Sequence, residues 1–423
     1  MMWILYELLF ILGFLLYLPS AVWRRRLPHP GWSMRLGRYP ARVHQIVDGK
    51  RPIWVHAVSV GEMLAARPLI DALTRAHPES PTVLSTITPG GFSVASKQAG
   101  DSGAAIYFPL DLRGCVRRAL AAIRPRALLL MESELWPTVI REAHRQGVPI
   151  AVINGRVSPR ALPRYRIAAP FVHAMWGHVQ AFLMQSQADA DRLLSLGVPP
   201  ERVRVTGNLK WDAATRPAPD AVHAIATRAG LDGRAPLIVG GSTHRGEEGA
   251  ILEGFKHLRT IQPETRLILA PRHLERLAEV EALVRKEGLA CVRFSQPVPP
   301  MTAWQVGLVD TFGQLPSYYA LANIVFIGGS LIPHGGQNPL EAASLGKPVL
   351  FGPSMHNFAA IAHELLANRA ACEVGGAHEL SMLLEELLSD PAAAEAMGRR
   401  AQALVEQHRG ATQRTLEALT AIL

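Results

Sequence analysis

Three cysteines in 423 residues, Cys115, Cys291 and Cys372, are too dispersed and odd in number for a disulfide framework, and none has the C-x-x-C spacing of a zinc site. A reducing compartment fits them. Aromatic residues are sparse at 6%. The basic residues come without an aromatic RNA-binding signature or a helix-turn-helix, which argues against nucleic acid as a partner. No low-complexity run and no repeat at solenoid spacing occurs. What is present is a globular composition, 48% hydrophobic and 19% charged. The length exceeds what one core organises, so two domains are expected. A net charge of +9 favours anionic partners such as an acidic membrane surface or a phosphorylated substrate.

Residues 2–23 are apolar except for Glu7, polar only in passing, and run into Arg24, Arg25 and Arg26. A bilayer-crossing helix needs roughly 17 to 25 residues. A cleaved leader would carry its positive charges before the apolar run and small residues after it, and this segment does neither. The expectation is an uncleaved membrane anchor over residues 1–26, with the arginines holding the body on the cytoplasmic side. A helix lying in the interface, which Glu7 and Pro19 permit, is the other reading.

Beyond it, short apolar runs alternate with amphipathic stretches. Ile53–Val58, Thr82–Thr86, Ala127–Met131, Pro149–Ile153, Ala181–Gln185 and Val203–Thr206 read as buried strands. A second series follows the proline-rich Thr215–Pro219: Leu237–Val239, Arg266–Ala270, Ala290–Phe294, Ile324–Ile327 and Pro348–Phe351. The pattern predicts two α/β domains with parallel sheets, residues 27–212 and 213–423, facing a cleft at the carboxyl ends of their strands.

Chemistry-bearing residues cluster at those strand ends. The first strand runs into Ser59-Val60-Gly61-Glu62, which sets Glu62 at a helix start where it can act as a general base or simply favour the helix dipole. Another strand ends in Glu132-Ser133-Glu134-Leu135-Trp136-Pro137, and Lys210 lies in Gly207-Asn208-Leu209-Lys210-Trp211-Asp212. In the second domain the segment from Val239 to Glu248 joins strand to helix, and its glycines and hydroxyls are expected to leave backbone N–H groups free for phosphate. It is neither a Walker loop nor a dinucleotide fingerprint. Ala270-Pro271-Arg272-His273 offers a cation at the same edge. The stretch Gly335-Gly336-Gln337-Asn338-Pro339-Leu340-Glu341 opens a helix whose Glu341 can accept ribose hydroxyls. Asp189-Ala190-Asp191 reads as the polar first turn of an amphipathic helix, so no metal site is assigned.

The motifs HAVSVGE, MESELWP, GNLKWD, GSTHRGEE, APRH and GGQNPLEAA, in this order and over essentially the whole chain, resemble the 3-deoxy-D-manno-octulosonic acid (Kdo) transferases of Gram-negative lipopolysaccharide synthesis. The resemblance implies a GT-B fold, two doubly wound Rossmann-like domains. It also implies CMP-Kdo as donor, the lipid A precursor lipid IVA as acceptor, inversion at the anomeric carbon, and a place at the bacterial inner membrane. No cofactor or metal is implied. By motif, Glu62 resembles the family's general base, and Glu132 and Lys210 its transition-state-stabilising pair. CMP contacts are implied at Pro271, Arg272, Phe312, Gly313 and Gln314, and at Asn338, Pro339, Leu340 and Glu341. Family members often carry methionine and glutamate where Phe312 and Gln314 stand. Another GT-B enzyme acting on a UDP-sugar is the alternative.

Overall fold

Strands covered on both faces need apolar side chains at successive positions, and the runs read above supply them. The computed structural model describes residues 2–23, 31–214, 216–296 and 304–423. The chain divides into two compact units, Met1–Ala213 with His408–Leu423, and Ala214–Gln407.

The first unit is built on β1 (Ile53–His56), β2 (Thr82–Thr86), β3 (Ala104–Tyr107), β4 (Ala127–Met131), β5 (Ile150–Gly155), β6 (Ala181–Met184) and β7 (Val203–Val205). They form one parallel sheet in the order β3-β2-β1-β4-β5-β6-β7. Strands β1, β2, β4 and β5 are buried at every position. Chain order reverses between β1 and β4, where His56 pairs with Leu130. Such a switch point opens a crevice at the carboxyl ends of the two strands. The helix Val60–Ala76 starts there; Met63, Ala66, Leu69, Ile70 and Leu73, at spacings of one helical turn, make its buried face. Each large apolar side chain so buried contributes about 1.5–3 kcal/mol.

The second unit carries β8 (Leu237–Thr243), β9 (Arg266–Pro271), β10 (Cys291–Arg293), β11 (Val306–Leu308), β12 (Ile324–Ile327), β13 (Val349–Phe351) and β14 (Ala371–Glu373). This sheet is also parallel, in the order β10-β11-β9-β8-β12-β13-β14, with its switch point between β8 and β12. Three strands escape the sequence pattern, and each is short. β11 holds Gly307, where a Cβ would strike the Phe294 ring at 2.1 Å, and β14 ends in an exposed glutamate.

Two expectations need correction. The second domain was expected to run to residue 423, but 408–423 belong to the first unit. Asp212 accepts the Gly410 and Thr412 N–H bonds at 2.9 and 2.6 Å, Arg414 donates to the Thr206 carbonyl at 2.9 Å, and Trp211 stacks on His408. The spanning anchor is the other. Met2–Trp23 is helical, yet among the described residues no helix is long and apolar enough to cross a membrane. One side of this helix is engaged by the first unit: Trp3 and Tyr6 pack on Phe171, Tyr6 donates to Asp111 at 2.7 Å, and Phe14 stacks on Trp32. Leu8, Leu9, Leu12, Leu15 and Leu16 are exposed. Arg24, Arg25 and Arg26 lie outside the described residues.

Candidate active site

The switch point of the first unit gathers Glu62 from the β1 loop and Glu132 from the β4 loop. Ser59 caps the helix Val60–Ala76 by accepting the Glu62 N–H, and Glu62 reaches back. One carboxylate oxygen accepts the Val58 N–H at 2.8 Å, and the other the Ser59 hydroxyl at 3.0 Å. This reciprocal box adds to the helix-dipole role expected of Glu62, and it aims the carboxylate without exhausting it, since each oxygen keeps a second lone pair. Burial, and next the charge of Glu132, hold its pKa above the ordinary glutamate value; the two hydrogen bonds and Lys210 pull the other way. A half-buried carboxylate with a raised pKa is a better proton acceptor than a solvated one.

Glu132 has a positive φ of 53°, a left-handed conformation that costs a residue with a side chain about 1–3 kcal/mol. Its N–H still closes the sheet edge on the Ile153 carbonyl at 2.9 Å, and its carboxylate lies 3.5 Å from Lys210 Nζ. Lys210 is placed by two side chains. Asn208 accepts the Lys210 N–H at 3.0 Å, and Asn154, at the end of β5, accepts the Leu209 N–H at 2.9 Å. Asn154 is fully buried and also has a positive φ, 52°. Sequence reading missed it; an asparagine among the apolar residues of a strand was the available signal.

Glu134 joins this group. Burial, then Glu62 and Glu132, push its pKa up to about 7. His56, at the end of β1, does not compete as a base. It is buried against the Phe108 ring at 3.6 Å, and desolvation pulls its pKa down to about 3. A small pocket beside Glu132, walled by Val157, Tyr165, Trp176 and Met184 and edged by Arg156, gives that carboxylate an apolar flank. Asp189 is committed elsewhere: it accepts the Val157 N–H and pairs with Arg192, both at 3.0 Å.

In the second unit the remaining candidates sit on loops after neighbouring strands. Pro271 ends β9, and the Arg272 N–H donates to the Thr243 carbonyl at 2.9 Å, leaving its side chain exposed. After β11, Phe312 is 76% exposed and Gly313 has φ 80°. The Gln314 side-chain oxygen accepts from Thr311 at 2.8 Å and Arg228 at 3.1 Å. After β12, Asn338 accepts the Leu340 N–H at 3.1 Å and approaches Glu341 at 3.5 Å. Pro339 precedes the single-turn helix Leu340–Ala343. Burial raises the Glu341 pKa, and Asn338 and Arg272 oppose it.

The loop expected to cradle phosphate is partly filled from within, because Glu247 takes its His244 N–H together with three donors of the loop after β12. This fully buried carboxylate accepts N–H bonds from His244 and Gly329 on one oxygen and from Ser330 and Leu331 on the other, at 2.7–2.9 Å. Gly328, Gly336 and Gln337 donate to backbone carbonyls. The glycines instead permit close packing: a Cβ at Gly241 would lie 1.8 Å from the Tyr319 hydroxyl.

Two parallel α/β units, each with a charged constellation at its switch point, define the class: a fold of GT-B type. Solved structures agree on the fold. A Rickettsia africae glycosyltransferase matches with TM-score 0.59 at 11% identity, and a Neisseria meningitidis UDP-GlcNAc 2-epimerase with 0.57 at 15%; each comparison covers 88% of this chain and 98% and 100% of the other. Residues 30–213 match the family model described as 3-deoxy-D-manno-octulosonic-acid transferase (kdotransferase). The 3-deoxy-D-manno-octulosonic acid transferase of Bordetella pertussis is 36% identical, with 94% of both chains covered. That of Haemophilus influenzae is 34% identical, with 87% of this chain and 86% of the relative covered. The chain belongs to the Kdo transferase family.

Proposed function

We propose that this chain transfers Kdo from CMP-Kdo to lipid IVA in lipopolysaccharide biosynthesis, with inversion at the anomeric carbon and Glu62 as general base. The observation that carries the mechanism is the Glu62 carboxylate, fixed by Val58 and Ser59 and raised in pKa, beside the Glu132–Lys210 pair. The acceptor hydroxyl gives its proton to Glu62 as its oxygen bonds to the anomeric carbon. The bond from that carbon to the CMP phosphate oxygen breaks, and the electron pair leaves with CMP. General base assistance of this kind contributes typically 10²–10⁴-fold. Glu132 and Lys210 stabilise charge developing in the transition state. Arg272 neutralises the leaving phosphate, while Glu341 and Asn338 hold the ribose, and Phe312, Gly313 and Gln314 border the base. Side-chain cations carry this charge, so the reading needs neither metal nor cofactor.

The lipid acceptor brings the body to the inner membrane, on its cytoplasmic side. The exposed leucines of Met2–Trp23 support a helix that lies in the interface, apolar face toward acyl chains. Incubating the full chain with CMP-Kdo and lipid IVA in mixed micelles, in parallel with UDP-sugars, tests the assignment. Kdo-bearing lipid product is expected. Transfer from a UDP-sugar and none from CMP-Kdo would select the other GT-B reading.

A further inference from the structure

Resting on that donor assignment, we propose that His244, His273 and His334, together with Arg272, form an oxyanion cup that holds an acidic group of the donor. The three histidines follow β8, β9 and β12, neighbours in the sheet, so they meet at the switch point of the second unit. The His244 ring lies 4.0 Å from that of His334 and 5.6 Å from that of His273. His244 is buried, whereas His273, His334 and Arg272 are exposed, which gives the group a floor and an open rim. Gln337 Nε2 sits 3.2 Å from His244 Nε2. An amide donating there fixes the neutral tautomer with its proton on Nδ1.

Two features point this group toward an anion. Four backbone donors around it, the N–H groups of His244, Gly329, Ser330 and Leu331, are taken by Glu247, which leaves these side chains as the cationic and imidazole donors for an oxyanion at this edge. The carboxylates that face it are also committed. Glu247 accepts four N–H bonds, and Glu248 is paired with Arg276 at 2.9 Å and with the Thr243 hydroxyl at 3.1 Å; the exposed Glu275, 3.4 Å from His273, faces the rim, and Glu341 faces Arg272. Burial, and then His334, His273, Arg272 and Arg276, pull the His244 pKa down to about 4. An anion in the cup reverses that repulsion, so binding takes up protons and tightens as pH falls. The CMP phosphate and the carboxylate of the sugar acid share the required chemistry.

Calorimetric titration of the full chain with cytidine, CMP and CMP-Kdo at about pH 6.5 and about pH 8 tests this, in the parent and in H334Q, H273Q and H244N. One lost charge-assisted hydrogen bond predicts an affinity loss of about ten-fold or more at the lower pH, with cytidine binding unchanged. The parent tightens at the lower pH, against the trend of the phosphate's own protonation, and H244N loses that tightening. A loss seen with CMP assigns the phosphate, and one seen only with CMP-Kdo assigns the carboxylate. Histidine variants that bind all three ligands as the parent does, or that lose cytidine equally, overturn the cup. A parent that binds neither CMP nor CMP-Kdo removes the donor assignment along with it, whereas normal Kdo transfer by unaffected histidine variants removes the cup alone.

Discussion

Replacing Glu247 by glutamine changes one atom, and the structure says which hydrogen bonds that atom carries. One carboxylate oxygen accepts from His244 and Gly329, the other from Ser330 and Leu331. A glutamine oxygen can serve one of these pairs. Its NH₂ group then faces the other pair, donor against donor, in a site with no solvent exposure. Leaving a buried donor unsatisfied costs about 1–3 kcal/mol, so E247Q is expected to destabilise the second unit by about 2–6 kcal/mol. For a unit of this size that is a fall in Tm of roughly 4–24 °C. A domain's whole stability is about 5–15 kcal/mol, so the upper end would unfold it. Differential scanning calorimetry of the full chain, with CMP added to mark which transition belongs to the nucleotide-binding unit, measures the effect. E279Q, at an exposed partner of Arg245 and Arg276, is the control for removing a charge without removing a buried acceptor. If E247Q melts within about 1 °C of the parent, the four bonds do not hold the loops and the account of the partly filled phosphate loop is wrong.

Glu62→Gln keeps the size of the side chain and removes the base; kcat is expected to fall about 10²–10⁴-fold with CMP affinity intact, and a parental turnover number would exclude Glu62 from proton transfer. Its raised pKa means that it is charged only above the ordinary glutamate range, so kcat/KM should rise with pH through that raised value, a limb that E62Q lacks. Burial and the charges of Glu62 and Glu132 push the Glu134 pKa up to about 7, so its contribution to stability is complete below the ordinary glutamate range and is lost as pH rises through about 7. E134Q should therefore flatten the stability profile over that window and gain up to about 3 kcal/mol above it, less the discount for partial exposure; urea melts at several pH values decide, and a parallel profile in both proteins counts against the shift. Asn154→Ala removes the acceptor for the Leu209 N–H and should cost about 1–3 kcal/mol while lowering kcat through Lys210; N154G, which relieves the positive φ but not the lost bond, should recover stability only in part. Equal stability of N154A and the parent would show that the Lys210 turn holds itself.

Most strands of both sheets were legible because parallel strands buried on two faces appear as unbroken apolar runs, and Thr82–Thr86 or Ala127–Met131 can be read without any structure. Where the burial signal weakens, so does the reading: Gly307 in β11 and the edge position of β14 hid those strands. The course of the C-terminus was illegible for a different reason. Asp212 caps a helix about 200 residues away, and nothing in the local pattern of either segment announces the other. The site divides in the same way. Glu62 and Glu132 are visible as carboxylates after apolar runs, but sequence cannot say that β1 and β4 are neighbours; the strand order does, and it turns two separate strand ends into one switch point. Glycine-rich segments invite the opposite error. Gly328, Gly329 and Gly336 look like a cradle for phosphate when only the backbone is considered, yet the Gly329 N–H goes to a buried glutamate eighty-odd residues earlier, and those of Gly328 and Gly336 go to backbone carbonyls. In this family member they face the protein, so on the proposed reading an anion at that edge is held by Arg272 and the neighbouring histidines. Main-chain donors are fixed in charge, and imidazoles are not. A donor site that relies on imidazoles is therefore one whose affinity depends on pH, whereas a backbone nest would be largely indifferent to it.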